Sequence, residues 1–217
     1  MVLALVAAAP PPAAAGVAFP EVPPFRRQLV VDPAGIDGSS APQPPARTIR
    51  EALERARRLG PGTEIIVRAG TYDEGTIEID FSGKPDAWFA LRAQPGERPL
   101  ILGSGGWETL HLRGSYVLLE GFELDGSGLG RTMADGTRIA SKADRDRWAG
   151  RYDACLPSGE NCGTGIHVGG TEEAPVHHVV VRRNLVHGFP GGGIQTGSGD
   201  FLVIEDNTTH GNANHSF

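Results

Sequence analysis

A chain of 217 residues, 39% hydrophobic and 21% charged, is long enough to bury one sizeable core and leaves little room for two. Its formal net charge of −6 argues against a nucleic-acid binder, which presents a basic excess on at least one face, and no apolar run reaches the length of a membrane span. With 31 Gly and 17 Pro, little room is left for long helices and many short strands joined by turns are expected.

The first 18 residues carry an apolar run followed by Gly16-Val17-Ala18, a small-x-small cleavage pattern. Residues 1–18 therefore read as a signal peptide, although a basic n-region is missing, and the protein is expected to be secreted or periplasmic. Residues 19–28 read as a Pro-rich linker, and LVVDPAGIDGSS then predicts a short strand and a turn. In TIREALERARRLG, Thr48 and Glu51 have capping-box spacing, Ile49, Leu53, Ala56 and Leu59 share one face, and Gly60 supplies the stop. This predicts a helix of about three turns.

Beyond the helix the hydrophobic period changes to two. TEIIVRAG, TIEIDFSG, AWFALRA and PLILGSG are short strand-forming runs punctuated by Gly, Pro and Asp. Internal repetition decides what they build. YVLLEGFELDG (116–126), HVVVRRNLVHG (178–188) and FLVIEDNTTHG (201–211) align without a gap, and LHLRG (110–114), IHVGG (166–170) and IQTGS (194–198) precede them in the same order. A unit of roughly two dozen residues cannot bury its own apolar face and must stack on its neighbours. Parallel stacking places Val117, Val179 and Leu202, then Leu119, Val181 and Ile204, inward. Leu118, Val180 and Val203 fall outward, as do Glu120, Arg182 and Glu205, whose alternating sign predicts a salt-bridge ladder. The turn after that strand holds Phe122, Asn184 and Asn207, and the repeated Asn predicts an amide ladder; this inward role outweighs the glycosylation pattern Asn207-Thr-Thr.

The order of elements, with VDP, a helix, IIVRAGTY, LRAQPGERPLILGSG and coils ending in Asn-x-x-His-Gly, resembles the pectate-lyase-like superfamily over residues 29–217. The resemblance implies an all-β right-handed parallel β-helix, a three-sheet solenoid with one N-terminal capping α-helix. It also implies a substrate groove along the outer face of the first sheet. Phe217 falls where a further first-sheet strand would start, so the chain reads as the opening part of a longer solenoid, monomeric when complete.

An insertion, 127–164, falls between the third and first strands of a coil and is expected to overhang the first sheet. Within it Arg147 and Arg151 share a helical face beside Trp148 and Tyr152; guanidinium groups for carboxylates and flat rings for sugar faces suit the wall of an acidic-polysaccharide site. Cys155 and Cys162, close together in the same polar loop, are expected to form a disulfide. The first-sheet column His111, His167 and Gln195 supplies the candidate catalytic residues, because imidazole titrates near neutrality. A third-sheet column, Asp125, His187 and His210, reads as a ladder.

The resemblance implies β-elimination on a uronic-acid-containing polysaccharide, the alternative being a noncatalytic carbohydrate-binding or cell-surface solenoid. The three aligned coils show no outward lysine, acidic cluster or carboxylate pair on the first sheet. No metal site or cofactor is therefore expected in them, and calcium would need ligands from coils beyond residue 217.

Overall fold

The computed structural model describes residues 19, 21–35, 44–103, 107–129, 131–132, 138–139 and 163–212. Three sheets, parallel throughout, wind around one core. The first holds β4 (Ile77–Ile79), β7 (Glu108–Leu112), β12 (Thr164–Val168) and β15 (Ile194–Thr196) in that spatial order. The second holds β1 (Arg27–Val31), β2 (Thr63–Val67), β5 (Phe89–Ala93), β8 (Val117–Glu120), β13 (Val176–Arg182) and β16 (Gly199–Glu205). The third holds β3 (Thr71–Tyr72), β6 (Leu100–Leu102), β9 (Glu123–Asp125), β14 (Leu185–His187) and β17 (Thr208–His210). Within the insertion, β10 (Arg131–Thr132) and β11 (Arg138–Ile139) form a short antiparallel pair.

The registers follow the sequence repeat. Ile65, Leu91, Leu119 and Val181 are partners on successive second-sheet strands. Ile79, Leu112 and Val168 line up in the first sheet, and Ile101, Leu124 and Val186 in the third. All ten are buried in one continuous core. Each such side chain contributes about 1.5–3 kcal/mol relative to exposure, and a slip of one residue would turn every one of them outward.

The helix α1 (Ile49–Leu59) closes the N-terminal end of this core with Ile49, Ala52, Leu53 and Ala56. Thr48 accepts the Glu51 N–H at 3.1 Å, as the capping pattern predicts. Glu51 itself turns to the Arg47 N–H at 3.1 Å, and the Ile49 and Arg50 N–H groups donate instead to Glu74, on the first complete coil, at 2.7 and 2.9 Å. A carboxylate from the solenoid thus satisfies the helix N-terminus, where negative charge is favoured. Gly60 ends the helix at φ 86°.

Between the second and third sheets each coil turns through one left-handed residue: Gly121, Arg183 and Asp206 have φ of 92°, 58° and 53°. For a residue with a Cβ this costs about 1 kcal/mol, which the neighbouring amides offset. Asn184 Oδ1 accepts the Phe122 N–H at 3.0 Å, and Asn207 Oδ1 accepts both the Asn184 N–H and its Nδ2 at 3.0 Å. A second buried amide does the same at the next corner, where Asn212 accepts the Phe189 N–H at 3.0 Å and donates to the Val186 carbonyl at 3.1 Å.

The outer face of the second sheet departs from expectation. Leu118 and Val180 point away from the solenoid interior and are nevertheless buried, in a second apolar cluster with Trp88 and Ala90. Phe19, Val22 and Phe25 lie on this cluster. The stretch read as a linker is therefore a strap covering apolar outward positions, and β1 already begins at Arg27. At the adjoining corner Tyr116, His178 and Phe201, the first letters of the three aligned segments, stack at 4.9 and 4.8 Å with interplanar angles of 19°.

The predicted ladder of Glu120, Arg182 and Glu205 forms, with Glu120–Arg182 at 3.2 Å and Arg182–Glu205 at 3.7 Å. It continues through Arg92 at 3.2 Å to Glu120 and 3.2 Å to Glu64. Glu120, at its centre, is buried.

Candidate functional site

Strand alternation sets the outer face of the first sheet. In β7 and β12, Leu110, Leu112, Ile166 and Val168 enter the core, so His111 and His167 between them face out. The pairing His111↔His167↔Gln195 is the one the repeat predicts. Parallel pairing brings the two imidazoles face to face, with centroids 4.7 Å apart and planes 15° apart. Gln195 Oε1 accepts the Thr164 hydroxyl at 3.0 Å, which orients its amide along the same column.

Two single carboxylates bear on this face, one of them from a coil before the three aligned ones. Glu78 on β4 is the direct partner of His111, extending the column to a fourth coil, and its carboxylate meets Arg113 at 2.9 Å. Glu108 Oε1 at the start of β7 lies 3.2 Å from His167 Nδ1. One signal for Glu78 was present in the sequence: Ile77-Glu78-Ile79 repeats the in-out-in pattern of Leu110-His111-Leu112. Glu108 was hidden because it meets His167 across coils, a diagonal that linear alignment does not reveal.

The two imidazoles differ in surroundings. Burial pushes the His111 pKa below the ordinary value for histidine, and the neighbouring charge of His167 pushes it the same way. Its Nε2 is buried and has no hydrogen-bond partner among the described residues. His167 is held from one side by Glu108. On the other side Gly169 and Gly197 leave space, for a Cβ at either would lie 3.2 or 3.1 Å from His167 Nε2. Glu108, His111 and His167 each offer one ligand atom, and these atoms lie within 4.8 Å of one another.

The third-sheet column is a ladder with one addition. His187 Nε2 lies 3.1 Å from Glu123 and Nδ1 lies 3.6 Å from Asp125, and the His187 ring stacks on His210 at 5.0 Å. Both its nitrogens face carboxylates, which suits a structural role. Arg147, Trp148, Arg151, Tyr152, Cys155 and Cys162, like Phe217 and residues 1–18, lie outside the described residues. The insertion does connect β9 to β12, hence the third sheet to the first. No helix among the described residues is long and apolar enough to cross a membrane.

No family model matches the chain, and no curated protein does. Solved structures do. The chain is similar to the pectate lyase Pel9A, with a TM-score of 0.55 and 18% identity over 84% of this chain and 39% of that one. It is also similar to the GH136 lacto-N-biosidase from Eubacterium ramulus, with a TM-score of 0.52 and 14% identity over 88% of this chain and 34% of that one. The chain thus spans between a third and two fifths of the length of these proteins. Together with the three parallel sheets, the likeness makes the architecture an all-β right-handed parallel β-helix, with one helix at its N-terminal end.

Proposed function

We propose that this chain is the polysaccharide-handling part of an exported β-helix lyase, with its reacting groove on the outer face of the first sheet. One observation carries the reading: the Glu108, His167 and His111 cluster on that face. With Nδ1–H donating to Glu108, the His167 tautomer leaves its lone pair on Nε2, the arrangement of an oriented general base. In β-elimination on a uronate, that lone pair takes the proton from C5. The C–H electron pair becomes the C4–C5 double bond, the C4–O glycosidic bond breaks, and the leaving oxygen acquires a proton. His111 and the Gln195 amide would line the floor. Arg147 and Arg151 would meet substrate carboxylates, with Trp148 and Tyr152 against sugar faces.

The solved neighbours support the substrate class in kind, one being a pectate lyase and the other a lacto-N-biosidase. The test is incubation with a panel of polyuronides while ultraviolet absorbance from unsaturated ends is followed. The expected result is turnover of at least one polymer, lost in His167→Ala with unchanged circular dichroism. Binding without turnover would overturn the lyase reading and leave the noncatalytic carbohydrate-binding one.

A further inference from the structure

Two pairs of stacked histidines run along this solenoid, and they are not equivalent. His187 has a carboxylate at each ring nitrogen, Glu123 at 3.1 Å and Asp125 at 3.6 Å. In the His111–His167 pair, by contrast, His111 Nε2 is buried with no hydrogen-bond partner among the described residues. A buried imidazole nitrogen without a partner loses its hydration and gains nothing in exchange, so its retention calls for a ligand or a chemical use.

We infer that Glu108, His111 and His167 form a binding site for a first-row divalent transition-metal ion of the zinc type. The donor set is two imidazoles and one carboxylate, which suits zinc and its neighbours, whereas calcium and magnesium take oxygen ligands. The three ligand atoms lie within 4.8 Å of one another. Bonds of about 2.0–2.2 Å in a tetrahedral site place donors roughly 3.3–3.5 Å apart. The Glu108 Oε1 to His167 Nδ1 separation of 3.2 Å already matches this, and the soft ring torsion of a histidine can close the remainder. Both imidazoles project from adjacent parallel strands whose register is fixed on either side by core residues, so the backbone stays in place while the rings turn out of their stacked arrangement to meet one ion. Three protein ligands leave a fourth position for a water or a ligand atom.

This inference deepens the function proposed above and rests on it for one consequence. With the ion on Nδ1, the one proton of the neutral His167 ring sits on Nε2, so a His167 that holds the metal has no free lone pair there and is no longer a base. Metal occupancy therefore switches β-elimination off.

The experiment titrates the full chain, stripped with a chelator, with zinc(II) alone by calorimetry, and follows cobalt(II) substitution by visible absorption. One ion per chain is expected, with the four-coordinate cobalt spectrum. His111→Ala, His167→Ala and Glu108→Gln should each weaken binding at least tenfold, and His187→Ala should leave it unchanged. Absence of saturable binding, or variants of Glu108, His111 and His167 that all bind as wild type does, overturns the site. Should the alanine variants misfold, the cobalt spectrum of the wild type and the Glu108→Gln titration decide. Polyuronide turnover is then measured with and without zinc. Binding without inhibition overturns His167 as the base and leaves the metal site standing, whereas turnover in a protein that takes up no metal overturns the metal site alone.

Discussion

The side-chain oxygen of Asn207 accepts two hydrogen bonds from one residue of the preceding coil, the backbone N–H and the side-chain Nδ2 of Asn184, both at 3.0 Å. Asn184 in turn accepts the buried Phe122 N–H. The chain of amides therefore replaces, turn by turn, the hydrogen bonds that the sheets cannot make at the corner. In Asn184→Ala the Phe122 N–H is left buried without an acceptor, at a cost of about 2 kcal/mol. For a chain of this length the expected fall in Tm is roughly 4–8 °C. Asn207→Ala, on a more open coil, should cost less. Calorimetric scans of the two variants check the order, and an unchanged Tm in Asn184→Ala would remove the ladder from the account of stability.

A methyl group at Gly197 would lie 3.1 Å from His167 Nε2 and 3.7 Å from the Gly169 Cα. The ring must give by a few tenths of an ångström while the core below is untouched. Gly197→Ala should thus lower polyuronide turnover about tenfold, as displacement of a reacting group does, with a change in stability within about 0.5 kcal/mol. Paired turnover and urea-midpoint measurements separate the two effects.

Burial by itself would raise the Glu120 carboxyl. The hydrogen bond and charge of Arg182, with the charges of Arg92 and Arg183, outweigh burial and hold its pKa below the ordinary value. A carboxyl depressed in the folded state stabilises fully above the ordinary carboxylate range, about pH 4. That contribution is lost as the pH falls through the folded value. Glu120→Gln should cost about 1–2 kcal/mol near neutrality, and the gap from wild type should shrink on acidification. Urea midpoints at neutral and acid pH measure this, and a gap that widens in acid would contradict it.

Phe19, Val22 and Phe25 cover Trp88, Leu118 and Val180 on the outer face of the second sheet. Removing residues 1–25 uncovers a contiguous apolar patch of the kind that drives association. The truncated chain is expected to bind a hydrophobic dye, to lose several degrees in Tm, and to self-associate in sedimentation. A monomeric, dye-silent truncation would mean that the strap is dispensable.

Much of this architecture was legible in linear sequence because a stacked coil repeats its chemistry at nearly constant spacing. The columns Val117, Val179 and Leu202, Glu120, Arg182 and Glu205, and His111, His167 and Gln195 each pair as the alignment implies. Glu78 was legible in the same way, one coil earlier than the obvious repeat. The corner rings Tyr116, His178 and Phe201 also sat in register, but a Tyr, a His and a Phe share only a flat ring, which residue-by-residue similarity undervalues.

What the sequence by itself determined is the set of neighbours within each column, since inward and outward alternation and repeat length leave one register that buries the apolar residues. Contacts between columns and from outside the repeat were decided by tertiary structure alone. Glu108 reaches His167 on the next coil, Glu74 satisfies the start of the helix, and the strap of Phe19, Val22 and Phe25 buries side chains that alternation points to water. These contacts depend on where turns of unequal length deliver the chain in space, and no periodicity in the sequence records that.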